Sequence, residues 1–180
     1  MTRRLRLRGW TGADVEAFLA LSTDPEVMRF FPRPATPIEA ESFVRLQQVR
    51  HGAGEPTLYV VERLEDGAFL GFTGLAVPTG PLPFSPCVEI GWRLVRAAWG
   101  HGYATEAAAA CLDEAFGERG LAEVVSFTAA VNLPSQAVMR RLGMIRDVDG
   151  DFDHPRVPEG SPLRAHVLYR IDAAGWAARG

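Results

Sequence analysis

Apolar side chains alternate with polar or small ones over residues 88–95. Val88, Ile90, Trp92 and Leu94 fall on one side of an extended chain, and Glu89, Gly91 and Arg93 on the other. Further on the spacing changes to three and four. Ala107, Ala108, Cys111, Leu112, Ala115 and Phe116 form one wide stripe on a helix that begins at Tyr103, and Gly117 and Gly120 end it. The small residues of that stripe let the helix lie close on a sheet. A further apolar run over residues 124–129 follows, so this stretch predicts two parallel strands joined by a crossover helix.

The flanking segments predict the remaining elements. Leu5 and Leu7 alternate with arginines as in an edge strand. Thr11-Gly12-Ala13-Asp14 starts a helix carried by Val15, Phe18, Leu19 and Leu21, and Asp24-Pro25 stops it. Pro32, Pro34 and Pro37 break the chain before a second helix, which runs through Ala40, Phe43, Val44, Leu46 and Gln47 toward Gly52. Residues 58–62 and 69–75 form a hairpin about Glu65-Asp66-Gly67, and the prolines from Pro78 to Pro86 mark a surface loop. Asn132-Leu133-Pro134-Ser135 opens a short helix ending at Gly143-Met144. The acidic run Asp147, Asp149, Asp151, Asp153 has two readings: a solvated loop, or carboxylates that draw a cationic amine toward His154 as proton relay. A last strand over residues 163–171 closes the sheet, with His166 in a structural role.

The strongest local signal is the run Trp99-Gly100-His101-Gly102-Tyr103-Ala104-Thr105-Glu106-Ala107. Two glycines free the backbone from Cβ crowding, and the helix that follows begins with unpaired N–H donors at the positive end of its dipole. Such a turn suits a phosphorylated cofactor, although Gly-x-Gly by itself also fits an ordinary tight turn. Taken in order with the strand before it and with Asn132, Ser135, Gly143 and Met144 after it, the chain resembles the GCN5-related N-acetyltransferase (GNAT) superfamily, and within it the branch of ribosomal-protein N-terminal acetyltransferases.

That resemblance implies an α+β, three-layer fold over residues 1–180 as one domain. The sheet is mixed and mostly antiparallel, of about six to seven strands, with a central parallel pair that splays apart and about four flanking helices. It implies acetyl-coenzyme A as co-substrate, its pyrophosphate held by the main-chain amides of Gly100, His101, Gly102, Tyr103, Ala104 and Thr105. The pantetheine arm would pair with backbone groups of Leu94 and Val95, and Asn132 would hydrogen bond its amide. Glu89 is the candidate base, its alternative being an exposed strand carboxylate; Glu106 is accounted for by the helix dipole alone. The chain departs from the family pattern at Met139, where relatives often carry a Tyr, and at Ala97, three residues before the first glycine, where they often carry Gln or Arg. Met cannot protonate a leaving thiolate, so Ser135 is the candidate acid, although a Ser there also fits a helix start.

Composition narrows the picture. The 180 residues carry a formal charge of −3, which argues against a nucleic-acid partner, and no apolar run is long enough to cross a bilayer. Basic Met1 to Arg8 is followed by no apolar stretch of the signal-peptide kind. Cys87 and Cys111 stand in unrelated settings without metal-ligand spacing, so no metal and a reducing cytoplasm are expected. Lysine is absent, which removes it as base or Schiff-base former. The resemblance implies a small-molecule or peptide amine as partner, and a homodimer. A dinucleotide module would need a third glycine that Tyr103-Ala104-Thr105 does not provide. A non-catalytic acyl-coenzyme A sensor or scaffold of the same fold stays open.

Overall fold

The computed structural model describes residues 1–179. The alternating segments become strands β1 (Leu5–Arg8), β2 (Leu58–Arg63), β3 (Phe69–Ala76), β4 (Glu89–Leu94), β5 (Glu123–Ala129), β6 (Ile145–Asp153) and β7 (Ala165–Asp172). Helices α1 (Asp14–Thr23), α2 (Pro25–Met28), α3 (Pro37–Gly52), α4 (Tyr103–Asp113), α5 (Leu133–Arg141) and α6 (Ala173–Ala177) connect them. The strands form one mixed sheet in the order β1-β2-β3-β4-β5-β7-β6, antiparallel everywhere except at β4 and β5.

Local chemistry explains the boundaries. Thr36 caps α3 in a capping box with Glu39, and Pro37 sits where the missing N–H costs nothing. Asp24 both ends α1 and caps α2, accepting from the Glu26 and Val27 amides; this short turn was not expected from the pattern. Beyond Asp113, α4 widens into a π-type turn over Glu114–Glu118.

Two apolar layers sandwich the sheet. On one face Ile90, Leu75, Val124 and Val167 pack against Ala108, Cys111 and Leu112 of α4 and Met139 of α5. On the other, Val60 and Phe72 meet Phe18, Leu21 and Val44 around the ring of Trp10. The sheet closes tightly at Gly71, whose φ is +130°: a Cβ there would lie 2.1 Å from the Arg93 carbonyl oxygen.

The acidic run corrects one expectation. Residues 145–153 form strand β6, not a loop, because the carboxylates find cations on β6 itself and on β7 and the connection before it. Asp147 pairs with Arg170 at 2.7 Å, Asp151 with Arg146, and Asp153 with Arg164 at 3.1 Å. The final strand β7 lies between β5 and β6, setting Thr128 opposite Val167 and Ala129 opposite His166.

Candidate active site

Strands β4 and β5 share a single rung, Glu89 opposite Val125, where the Val125 N–H donates to Val88 O at 2.9 Å. At the next step a side chain substitutes for backbone: Ser126 Oγ donates to Ile90 O at 2.9 Å. Beyond it the strands part. On the opposite edge the Val95 N–H donates to Leu70 O at 2.9 Å. By the alternation of an antiparallel ladder, the backbone groups of Trp92 and Leu94 therefore turn into the gap. Leu94 O accepts from Trp99 Nε1 at 2.9 Å, which leaves the Trp92 and Leu94 N–H groups as the edge that the gap offers.

The glycine turn lies at the wide end of this gap. Gly100 and Gly102 have φ of +77° and +79°, and Gly102 enters α4 with no side-chain cap. The first intrahelical bond of α4 is Glu106 N–H to Gly102 O. Among the described residues none accepts from the amides of Gly100 to Thr105, so they form a run of free donors at the positive end of the helix. Glu106, in the first turn, is spent elsewhere: it pairs with Arg4 at 2.7 Å and accepts from Thr2 Oγ1 at 2.6 Å.

Gap and turn open into one cavity of about 960 Å³. It takes in Glu89, Leu94, Gly100, Gly102, Tyr103, Ala104, Thr105, Asn132 and Ser135. Val95 and His101 stand outside its lining. The Val95 amide is engaged in the ladder, and His101 lies over Tyr103 at 5.5 Å between ring centres, its Nδ1 on Trp99 O at 2.7 Å.

Glu89 is half-buried and lines the cavity. Burial pushes its carboxyl up to about 8, with no charged neighbour contributing. Gly91, next on the same face, has no side chain to cover it; a Cβ there would stand 3.9 Å from Glu89 Oε1.

Across the gap, Asn132 caps α5. Its Oδ1 accepts from the Ser135 amide at 3.3 Å, and its Nδ2 donates to Thr128 Oγ1 at 2.9 Å and to Ser135 Oγ at 3.1 Å. Met139 is buried beneath them and also reaches the cavity.

Three further features complete the cavity wall. His154 and His166 stand 4.7 Å apart between ring centres, against Phe127 and Phe152, and burial holds both imidazoles below their usual range. Phe30 and Phe31 line the cavity beside α2. Arg93 follows Glu89 and Gly91 on one strand face, and that alternation was the only available signal; its Nη1 donates to Ser22 Oγ at 3.1 Å, while its buried Nε has no acceptor.

Comparison with known proteins agrees with this architecture. The model of the acetyltransferase (GNAT) domain matches residues 4–145. An FsC-acetyl coenzyme A-N(2)-transacetylase of Aspergillus fumigatus is 34% identical over 181 residues, covering 97% of this chain and 76% of its own. A GNAT-family acetyltransferase of Bacillus anthracis superposes with a TM-score of 0.79 at 26% identity, covering 97% of this chain and 98% of that one. The fold is shared as well by a ribosomal L7/L12 α-N-protein acetyltransferase solved with coenzyme A, at a TM-score of 0.76, 18% identity and 95% coverage of both chains. With a splayed strand pair, an uncapped glycine turn and a family match across most of its length, the chain belongs to the GNAT acetyltransferases and is an acetyl-coenzyme A-dependent acyltransferase.

Proposed function

We propose that the protein transfers the acetyl group of acetyl-coenzyme A to a primary amine by direct attack, with both substrates bound at once. The observation that carries this reading is the run of free amides from Gly100 to Thr105 opening on the same cavity as the buried Glu89 carboxyl. The amides and the α4 dipole suit a diphosphate. The Trp92 and Leu94 N–H groups suit an amide-bearing arm lying in the gap as an extra strand, and a donor of this edge suits the thioester carbonyl as its oxygen becomes negative.

The amine must lose a proton to attack. Glu89 takes it, directly or through one water, as the C–N bond forms. Asp153 is a poor alternative, being paired with Arg164 and exposed outside the cavity. When the C–S bond breaks, Ser135 Oγ gives its proton to the thiolate; Asn132 Nδ2 already donates to that oxygen, leaving its O–H free to do so. Met139 offers no proton in this position. The Aspergillus relative, by its name an N(2)-transacetylase, supports a nitrogen acceptor.

The test is thiol release from acetyl-coenzyme A in the presence of a panel of primary amines. Release that depends on the amine, with the matching acetamide found by mass spectrometry, is the expected result. Tight binding of coenzyme A with no amine-dependent release would overturn the reading in favour of a sensor or scaffold.

A further inference from the structure

The acceptor side of the cavity contains a cation that the transfer chemistry does not use. Arg93 extends from the centre of the sheet between the rings of Phe31 and Phe72, its guanidinium carbon 4.0 and 5.4 Å from their centres. One neutral hydroxyl, Ser22 Oγ, accepts from Nη1, and Nε is wholly covered without an acceptor. Burial draws the guanidinium down to about 10, with no carboxylate contributing, so it remains cationic at neutral pH. A desolvated cation with one weak partner is an uncompensated charge, and proteins pair such charges.

No acid among the described residues supplies the compensation. Glu89 lies on the same strand face, four residues away, which separates the two Cα atoms by about 13 Å. Burial shifts each of the two groups, and they form no ion pair with each other. Glu26, near the same wall, is matched to Arg29 at 3.4 Å, and Glu39 to Arg33 at 2.5 Å. Arg156, which also reaches this end, adds positive charge and is held by Thr79.

We propose that Arg93 receives a carboxylate of the acceptor, which is thus an amine joined to a carboxylate by a chain of several bonds. The flat slot between two phenylalanine rings suits a planar anion meeting the guanidinium edge to edge. The amine end then reaches Glu89, while the anionic end is held beside Phe31. The spacing of the two residues along the strand favours acceptors longer than an α-amino acid, whose nitrogen and carboxylate are about 3 Å apart. The inference rests on the transferase reading for the word acceptor, but the anion subsite itself is independent of turnover.

The experiment is calorimetric titration of the coenzyme A-saturated protein with N-acetylated ω-amino acids of increasing chain length and with their primary amides. Saturation keeps the probes out of the cofactor's own sites. At one or more chain lengths beyond N-acetylglycine the acid binds at least about tenfold tighter than its amide, and Arg93→Gln removes that difference while coenzyme A still binds. Equal binding of acid and amide by the wild-type protein at every length overturns the proposal, as does a preference that survives in Arg93→Gln. Should Arg93→Gln fail to fold, Arg93→Lys, which keeps the charge and loses the planar edge, is expected to weaken the preference, and an unchanged preference there counts against the subsite. A wild-type protein that prefers the acids yet acetylates no amine retains the subsite and loses the transferase reading.

Discussion

Asn132 Nδ2 donates to Ser135 Oγ at 3.1 Å, while Asn132 Oδ1 accepts from the Ser135 amide at 3.3 Å. Two bonds between one pair of residues fix the hydroxyl oxygen at the mouth of α5 and fill one of its lone pairs, so its proton is the part left to act. Ser135→Ala is expected to lower kcat by about 100-fold, the usual scale for losing a positioned acid, with little change in the KM for acetyl-coenzyme A. Steady-state kinetics check this, and an unchanged kcat would reduce Ser135 to a helix-start residue.

Glu89 gives the reaction its pH dependence. A base whose carboxyl is held at about 8 is largely protonated at neutrality, so kcat/KM rises with pH and levels off above about 8. Glu89→Gln lowers the rate about 100-fold and flattens that limb. Stability moves in the opposite direction. The folded state holds the proton more tightly than the unfolded chain, so this group's contribution is complete below the usual glutamate range and is lost as pH rises through about 8. Thermal melts of wild type and Glu89→Gln across that window are expected to diverge, the variant becoming the more stable of the two at alkaline pH.

Gly102 carries the amide run through a left-handed turn at φ +79°. An alanine there pays about 1–2 kcal/mol of backbone strain or relaxes the turn and re-aims its donors. Gly102→Ala is therefore expected to weaken coenzyme A binding by about tenfold in calorimetry, with a circular dichroism spectrum like that of the wild type. Full affinity in the variant would mean that the amides do not carry the diphosphate.

Much of this architecture is legible in the chain because its signals are local. The alternation around Ile90, the stripe from Ala107 to Phe116 and the glycines before Tyr103 each follow from backbone geometry a few residues long, and the elements form where these patterns lie. Three features escaped because their causes lie far apart in sequence. Asp147 and Asp153 look like part of a solvated run until Arg170 and Arg164 are set beside them by a strand pairing that no local pattern announces. His154 and His166 become neighbours only once β6 and β7 pair across the loop between them. Arg93 is visible as a charge in an apolar strand, but that it lacks a counter-ion is known only when Ser22, Phe31 and Phe72 have been placed around it.

The single rung between Glu89 and Val125 has a mechanical meaning. Half of the sheet is fastened to the other half by that rung, by one serine hydroxyl and by the apolar core under α4 that spans both, so in backbone pairing the middle of the sheet is a seam. Whatever occupies the seam also works as a splice. Occupancy by coenzyme A accordingly raises resistance to unfolding as the logarithm of ligand concentration over Kd.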